Sequence, residues 1–166
     1  MTVKSELLKG LAGTPALLTD LVASIPEDKR LRRRGDGFWT VAEHAAHLAQ
    51  VQPMLHDRIR RFIAEPHPVF TPYFPPPAED APPEPEARPD LDAALADFAA
   101  GRKAQIRNLE EITDETVWQR RGEHPEYDDY SLPILVRHIL MHDYWHMYRM
   151  EELWLTKDEY LTKLEG

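Results

Sequence analysis

Ten of the 24 residues from Pro66 to Pro89 are proline. Each proline removes a backbone donor and pushes the residue before it out of helical geometry. No helix can cross such a run, which favours extended or polyproline geometry. Regular structure must therefore be built from the flanks, 1–65 and 90–166. The first half of the run carries Phe70, Tyr73 and Phe74, enough apolar surface to pack on a domain. Its second half, AEDAPPEPEARP, has the composition of a solvated segment. We read 66–89 as an excursion between two helices, inside one domain spanning 1–166, whose 166 residues suit that size.

Both flanks repeat apolar residues at helical intervals. In the first, Leu7, Leu8, Leu11, Leu17, Leu18, Leu21 and Val22 recur every three or four residues from about Ser5 to Ser24. Pro15, with Thr14 as N-cap, could restart the helix midway, and Ile25-Pro26 ends it. Glu27 to Phe38 is polar, basic and broken by Gly35 and Gly37, so it reads as a loop. Thr40 and Glu43 then form a capping box, opening a second helix from Val41 to about Ala64 with a kink expected at Pro53. Asp90 caps a third helix, Leu91 to about Ile112, with Leu91, Leu95, Phe98, Ile106 and Leu109 on one face. The stretch from Thr113 to Tyr130 is irregular, with a short helical turn at Asp114–Trp118 and no convincing strand. Ser131 begins the last helix, Leu132 to Trp154, with Pro133 tolerated in its first turn. Lys157 to Gly166 is a tail with room for another short helix. Four amphipathic segments predict an all-α fold, a four-helix bundle with a long proline-rich connection between helices 2 and 3 that could act as a crossover.

Composition excludes several chemistries. There is no cysteine, hence no disulfide, thiolate metal site or thiol nucleophile. The N-terminus lacks a basic segment followed by an apolar run, and no apolar run is long enough to span a membrane. We expect a cytoplasmic protein with no membrane partner. The formal net charge is −9, and the one basic run, Lys29 to Arg34, lies beside Asp28 and Asp36. It reads as a solvated interhelical turn, so no nucleic-acid partner is expected.

The chemistry-bearing residues are histidines. His138, His142 and His146 follow one another at four-residue spacing on the last helix. Residues four apart lie about 5–6 Å apart at Cβ, close enough for two imidazoles to share an ion with metal–nitrogen bonds of about 2.0–2.1 Å. All three cannot share it, because about 12 Å of axial rise separates the outer two. His142 and His146 share a stripe with Leu135, Ile139, Met150 and Leu153. On the second helix, His47 shares a stripe with Val51, Met54 and Leu55. Three imidazoles from two helices, with open positions left over, form the pattern of a catalytic metal site. Other pairings remain open, His138 with His142 or His44 with His47. An ordinary buried histidine is the plainer reading of any one of them. His56, His67 and His124 are assigned to surface or loop.

The run Trp39-Thr40-Val41-Ala42-Glu43-His44-Ala45-Ala46-His47-Leu48, followed by His142-Asp143-Tyr144-Trp145-His146, resembles the DinB/YfiT-like family of metal-binding four-helix bundles. The opening TPALLTDLVASIPEDKRLRRR is similar to that family's first helix and loop, so the likeness covers nearly the whole chain. Carried over by position, it implies Trp39 as the capping-turn aromatic and His47, His142 and His146 as metal ligands. It further implies a divalent metal, commonly zinc or nickel, with water at the free positions. The chain departs from the family in its proline-rich insertion and in Gln52-Pro53 just beyond His47.

The expected function is that of a metal-dependent hydrolase, or of a transferase moving a low-molecular-weight thiol onto a small-molecule substrate. A non-catalytic metal-binding or stress-response module, with a homodimer joined through helix faces, is the alternative. An interaction protein that uses the proline-rich run as a ligand is the third. No catalytic side chain is identified. Glu43 and His138 are candidates to support the ligands, Glu43 by orienting His47 against a competing duty in the capping box, and His138 as a hydrogen-bonding neighbour or a proton relay.

Overall fold

A computed structural model of the chain describes residues 2–72 and 89–162. Its bundle is formed by α1 (Val3–Ser24), by α3 (Val41–Gln50) continued by α4 (Gln52–Ala64), by α5 (Leu91–Glu110) and by α7 (Leu132–Leu155). The short helices α2 (Glu27–Arg30) and α6 (Glu115–Trp118) lie in the connections.

α1 runs unbroken through Pro15, where a restart was expected. The missing amide of Pro15 would have bonded the Leu11 carbonyl. The buried Thr14 hydroxyl donates to that carbonyl instead, at 3.0 Å, so no acceptor is orphaned. Pro53 does more than kink the second helix. It sits in the first turn of α4, and the chain is divided into two helices at Val51. The basic turn is less solvated than its composition suggests. The Arg34 side chain is only 6% exposed and ties down the end of α7 by donating to the Leu153 and Thr156 carbonyls and to Asp158.

The packing partners define an uncommon arrangement. α1 packs against α5 and α7, and the α3–α4 segment packs against the same two. Lys4 at the start of α1 donates to the Ile112 carbonyl beyond the end of α5, so these helices are antiparallel. Gly10 meets Leu140 on α7 while Lys4 lies near the bundle end that α7 starts from, so α1 and α7 run parallel. Gln52 and His56 on α4 meet Gln105 and Asn108 on α5 in the same order, so α4 and α5 are also parallel. The connection from Ala64 to Leu91 must therefore return the length of the bundle, which is what a crossover does. Gly101 permits the close approach: a Cβ there would lie 2.5 Å from the Gln52 side chain.

One element was not expected. Arg121–His124 and Tyr127–Ser131 pair as an antiparallel hairpin, β1–β2, with a bulge between Gly122 and His124. Its strands, RGEH and YDDYS, carry no apolar alternation, and alternation is the signal by which a strand is read. The described start of the proline-rich run docks beside it: Phe70 donates to the Glu123 carbonyl and Glu123 to that of Pro68. Phe70 is buried against Phe62 and Tyr130, as its apolar character suggested. Tyr73, Phe74 and the acidic second half of the run lie outside the described residues.

The core has two apolar clusters. One gathers Leu11, Phe62, Leu109 and Val136 near the hairpin. The other gathers Leu18, Leu48, Phe98 and Met150 toward the opposite end. Between them α3 faces α7, and the histidines lie there.

Candidate metal centre

α3 is positioned by its first turn. The Thr40 hydroxyl accepts from the Glu43 amide at 3.1 Å, and Glu43 Oε2 accepts from the Thr40 amide at 2.6 Å. This capping box fixes where the helix begins and hence which side chains face α7. His44 and His47, three residues apart, share that face.

Three imidazoles converge there. His47 Nε2 lies 3.3 Å from His142 Nε2, and His142 Nε2 lies 3.1 Å from His146 Nε2. One potential ligand atom from each of the three lies within 4.8 Å of the others. Two nitrogens bound to one ion at about 2.0–2.1 Å, near the tetrahedral angle, lie about 3.3 Å apart. The donor set and its spacing therefore fit a single divalent cation. Hydrogen bonding alone accounts for them less well. A neutral imidazole carries one N–H, so His142 Nε2 cannot satisfy both neighbours, and His142 Nδ1 is buried with no partner among the described residues.

Burial keeps these rings neutral. It pushes His142 down to about 4 and His146 to about 2, with neighbouring histidines adding repulsion, and it lowers His47 as well. Neutral rings offer lone pairs to a metal without first losing a proton.

His44 was weighed only as a partner for His47. It is buried, and its Nδ1 lies 2.8 Å from His146 Nδ1. For His146 to present a lone pair at Nε2, its Nδ1 must carry the hydrogen and donate it to His44, which fixes the tautomer and the ring orientation. Burial lowers His44 to about 4, with Arg149 adding repulsion, so it remains a neutral acceptor. Trp39 covers this side, 5.2 Å from His44 and 5.1 Å from His47, and stacks on His146.

The two candidate supporting residues lie elsewhere. Glu43 does not bond His47: its carboxylate is held by the Thr40 amide and by Arg33. Burial would raise it, but these hydrogen bonds outweigh burial and hold it below the usual carboxylate range. His138 packs on Tyr127, with ring centroids 5.4 Å apart, and lines the same cavity as His142 without a hydrogen bond to it. The remaining histidines are mixed. His67 is exposed beside Glu123 and His56 meets Asn108. His124, assigned to surface or loop, lies in β1 and is 7% exposed between Tyr127 and Tyr130.

A buried ion pair adjoins the centre. Arg102 on α5 donates to Asp143, the neighbour of His142, at 2.6 Å, and both side chains are fully buried. Arg102 also reaches Gln105, which donates to Gln52. Burial raises Asp143 to about 6 against the pull of Arg102. Arg102 and Gln105 occupy the buried stripe of α5 between Phe98 and Leu109; a charge at that spacing was the one sequence signal available.

Residues 11–155 match the DinB superfamily. The chain belongs to that superfamily. The DinB chain also superposes on a solved structure of YfiT from Bacillus subtilis with a TM-score of 0.74 at 24% identity, covering 90% of this chain and 85% of that one. YfiT is described as a probable metal-dependent hydrolase with an unusual four-helix bundle topology. No curated protein matches the chain.

Proposed function

We propose that this DinB superfamily protein is a metal-dependent enzyme that holds a divalent cation on His47, His142 and His146 and hydrolyses a small molecule there. The convergence of three neutral Nε2 atoms from two helices carries the reading. The description of YfiT as a probable metal-dependent hydrolase agrees with it. Zinc and nickel both suit an all-imidazole set.

A bound cation would supply Lewis acidity, polarising a substrate oxygen and making water more acidic. The protein's own residues do the rest. Neutral imidazoles leave the charge of the ion undiminished. His44 holds His146 in the ligating tautomer, and Trp39 packs over His44, His47 and His146. Approach is then from the side where His47 and His142 line open space. Transfer of a low-molecular-weight thiol would use the same centre, with the thiol as nucleophile because the chain has no cysteine.

The test is metal analysis of the purified protein and of His47→Ala and His142→Ala. One equivalent in the native protein and loss in both variants is expected, and full retention in both overturns the ligand set. The loaded protein is then screened against small esters and amides, and against electrophiles with added thiol. Ester or amide turnover that follows metal content supports hydrolysis. Thiol consumption alone identifies transfer, and silence in both screens identifies a binding module.

A further inference from the structure

A cavity of about 220 Å³ opens beside the three histidines, between the α3–α4 segment, α7 and the hairpin. His47 and His142 form one end. Val51, Leu55, Leu135 and Ile139 form apolar walls, and Arg58 closes the other end with Tyr130. His47 lies on α3, Val51 at the junction and Leu55 and Arg58 on α4, so His47 and Arg58 stand well apart along the α3–α4 segment. The cavity is a slot with imidazoles at one end and a cation at the other.

Arg58 is built into that end. It donates to the Tyr130 hydroxyl at 3.2 Å and to the Thr71 carbonyl at 2.7 Å, and it rests over the Phe70 ring. Among the described residues no carboxylate lies within ion-pairing distance of it. Tyr130 is 3% exposed; its oxygen accepts from Arg58, and its own hydrogen has no acceptor among the described residues. A half-buried guanidinium with no counter-ion among the described residues, beside a buried hydroxyl with a hydrogen to give, makes an anion-binding pair.

We propose that this slot binds a small monocarboxylate with an apolar body. Its carboxylate sits on Arg58 and the Tyr130 hydroxyl, and its body lies along Val51, Leu135 and Ile139. The far end of the ligand then points at the histidines. At about 30 Å³ for each water-sized group the 220 Å³ of the slot holds about seven such groups, so the ligand has about seven or eight non-hydrogen atoms. One arginine among apolar walls suits a singly charged planar carboxylate better than a strongly hydrated phosphate dianion. The proposal rests on the metal-centre reading only for the substrate's reacting end; the carboxylate site stands on Arg58 and Tyr130.

The test is a binding titration by NMR with hexanoate, hexanamide and inorganic phosphate, on metal-free and metal-loaded protein. Hexanoate is expected to shift the methyl signals of Leu135 and Ile139 in both forms and to bind about tenfold or more tighter than hexanamide, the effect of one charged hydrogen-bonded contact. Arg58→Gln should lose that advantage, and Tyr130→Phe should lose part of it with the ring kept. Thermal unfolding of both variants establishes that they fold. Equal affinity for hexanoate and hexanamide, undiminished binding in folded Arg58→Gln, binding that requires the metal, or phosphate bound tighter than hexanoate overturns the proposal. Failure of the metal reading leaves these titrations unchanged, and failure of the carboxylate site leaves metal content unchanged.

Discussion

His44 Nδ1 lies 2.8 Å from His146 Nδ1, a contact between the first turn of α3 and the middle of α7. One of the two must donate, and only donation by His146 leaves its Nε2 free for a metal. Residues that hold ligands in this way are worth about 10–100-fold in metal affinity. His44→Phe should therefore fold and bind metal more weakly by that order, read by competition with a chromogenic chelator. Unchanged affinity would remove His44 from the centre.

The Arg102–Asp143 pair lends itself to a stability measurement. Arg102→Met leaves a buried carboxyl without its partner and should cost about 3–5 kcal/mol in urea unfolding. Replacing both partners, as Arg102→Met with Asp143→Leu, should recover most of that loss. A double variant as unstable as the single one would show that the charges specify more than each other.

Thr14 and Pro15 form a compensating couple. Thr14→Val strands the Leu11 carbonyl in a buried position and should cost about 1–3 kcal/mol. In a Pro15→Ala background the restored amide reaches that carbonyl, so the same substitution should cost much less. Equal costs in both backgrounds would show that the hydroxyl has another duty.

The metal-free protein should lose stability in mild acid. Histidines ordinarily titrate near 6.5 in the unfolded chain. In the folded chain burial holds His44 and His142 at about 4 and His146 at about 2. As pH falls from about 6.5 toward 4 the unfolded state takes up protons that the folded state refuses, so stability present above that window drains away. Asp143, raised to about 6 by burial, pulls the other way with one proton against three. The unfolding temperature of metal-free protein should fall steadily between about pH 7 and 5; a flat profile contradicts neutral, buried rings.

Helix periodicity made the bundle legible, and the Thr40–Glu43 box and the spacing of His142 and His146 made one half of the centre legible on each helix. What escaped depended on distant partners. His44 and His146 are 102 residues apart, and nothing local distinguishes a histidine that holds another ring from one that faces solvent. Arg102 breaks an apolar stripe, and its meaning comes only from Asp143 across the core. The hairpin escaped because its strands are charged, yet it buries His124 and supplies Tyr130. The direction of α5 relative to α4 also lay beyond reach, since composition of a connection does not say which end of a bundle it reaches.

The His47 and His142 side chains that meet at the centre are 95 positions apart in sequence, on opposite sides of the proline-rich connection. An ion held by both would close a loop of that size, as a covalent cross-link does, and would narrow the unfolded ensemble by the corresponding entropy. It could be captured only after the long-range packing of α3 on α7 was complete, late in folding. The centre would then act as a latch on the finished bundle, and a chelator would lower the unfolding temperature of a bundle that its apolar core still holds folded.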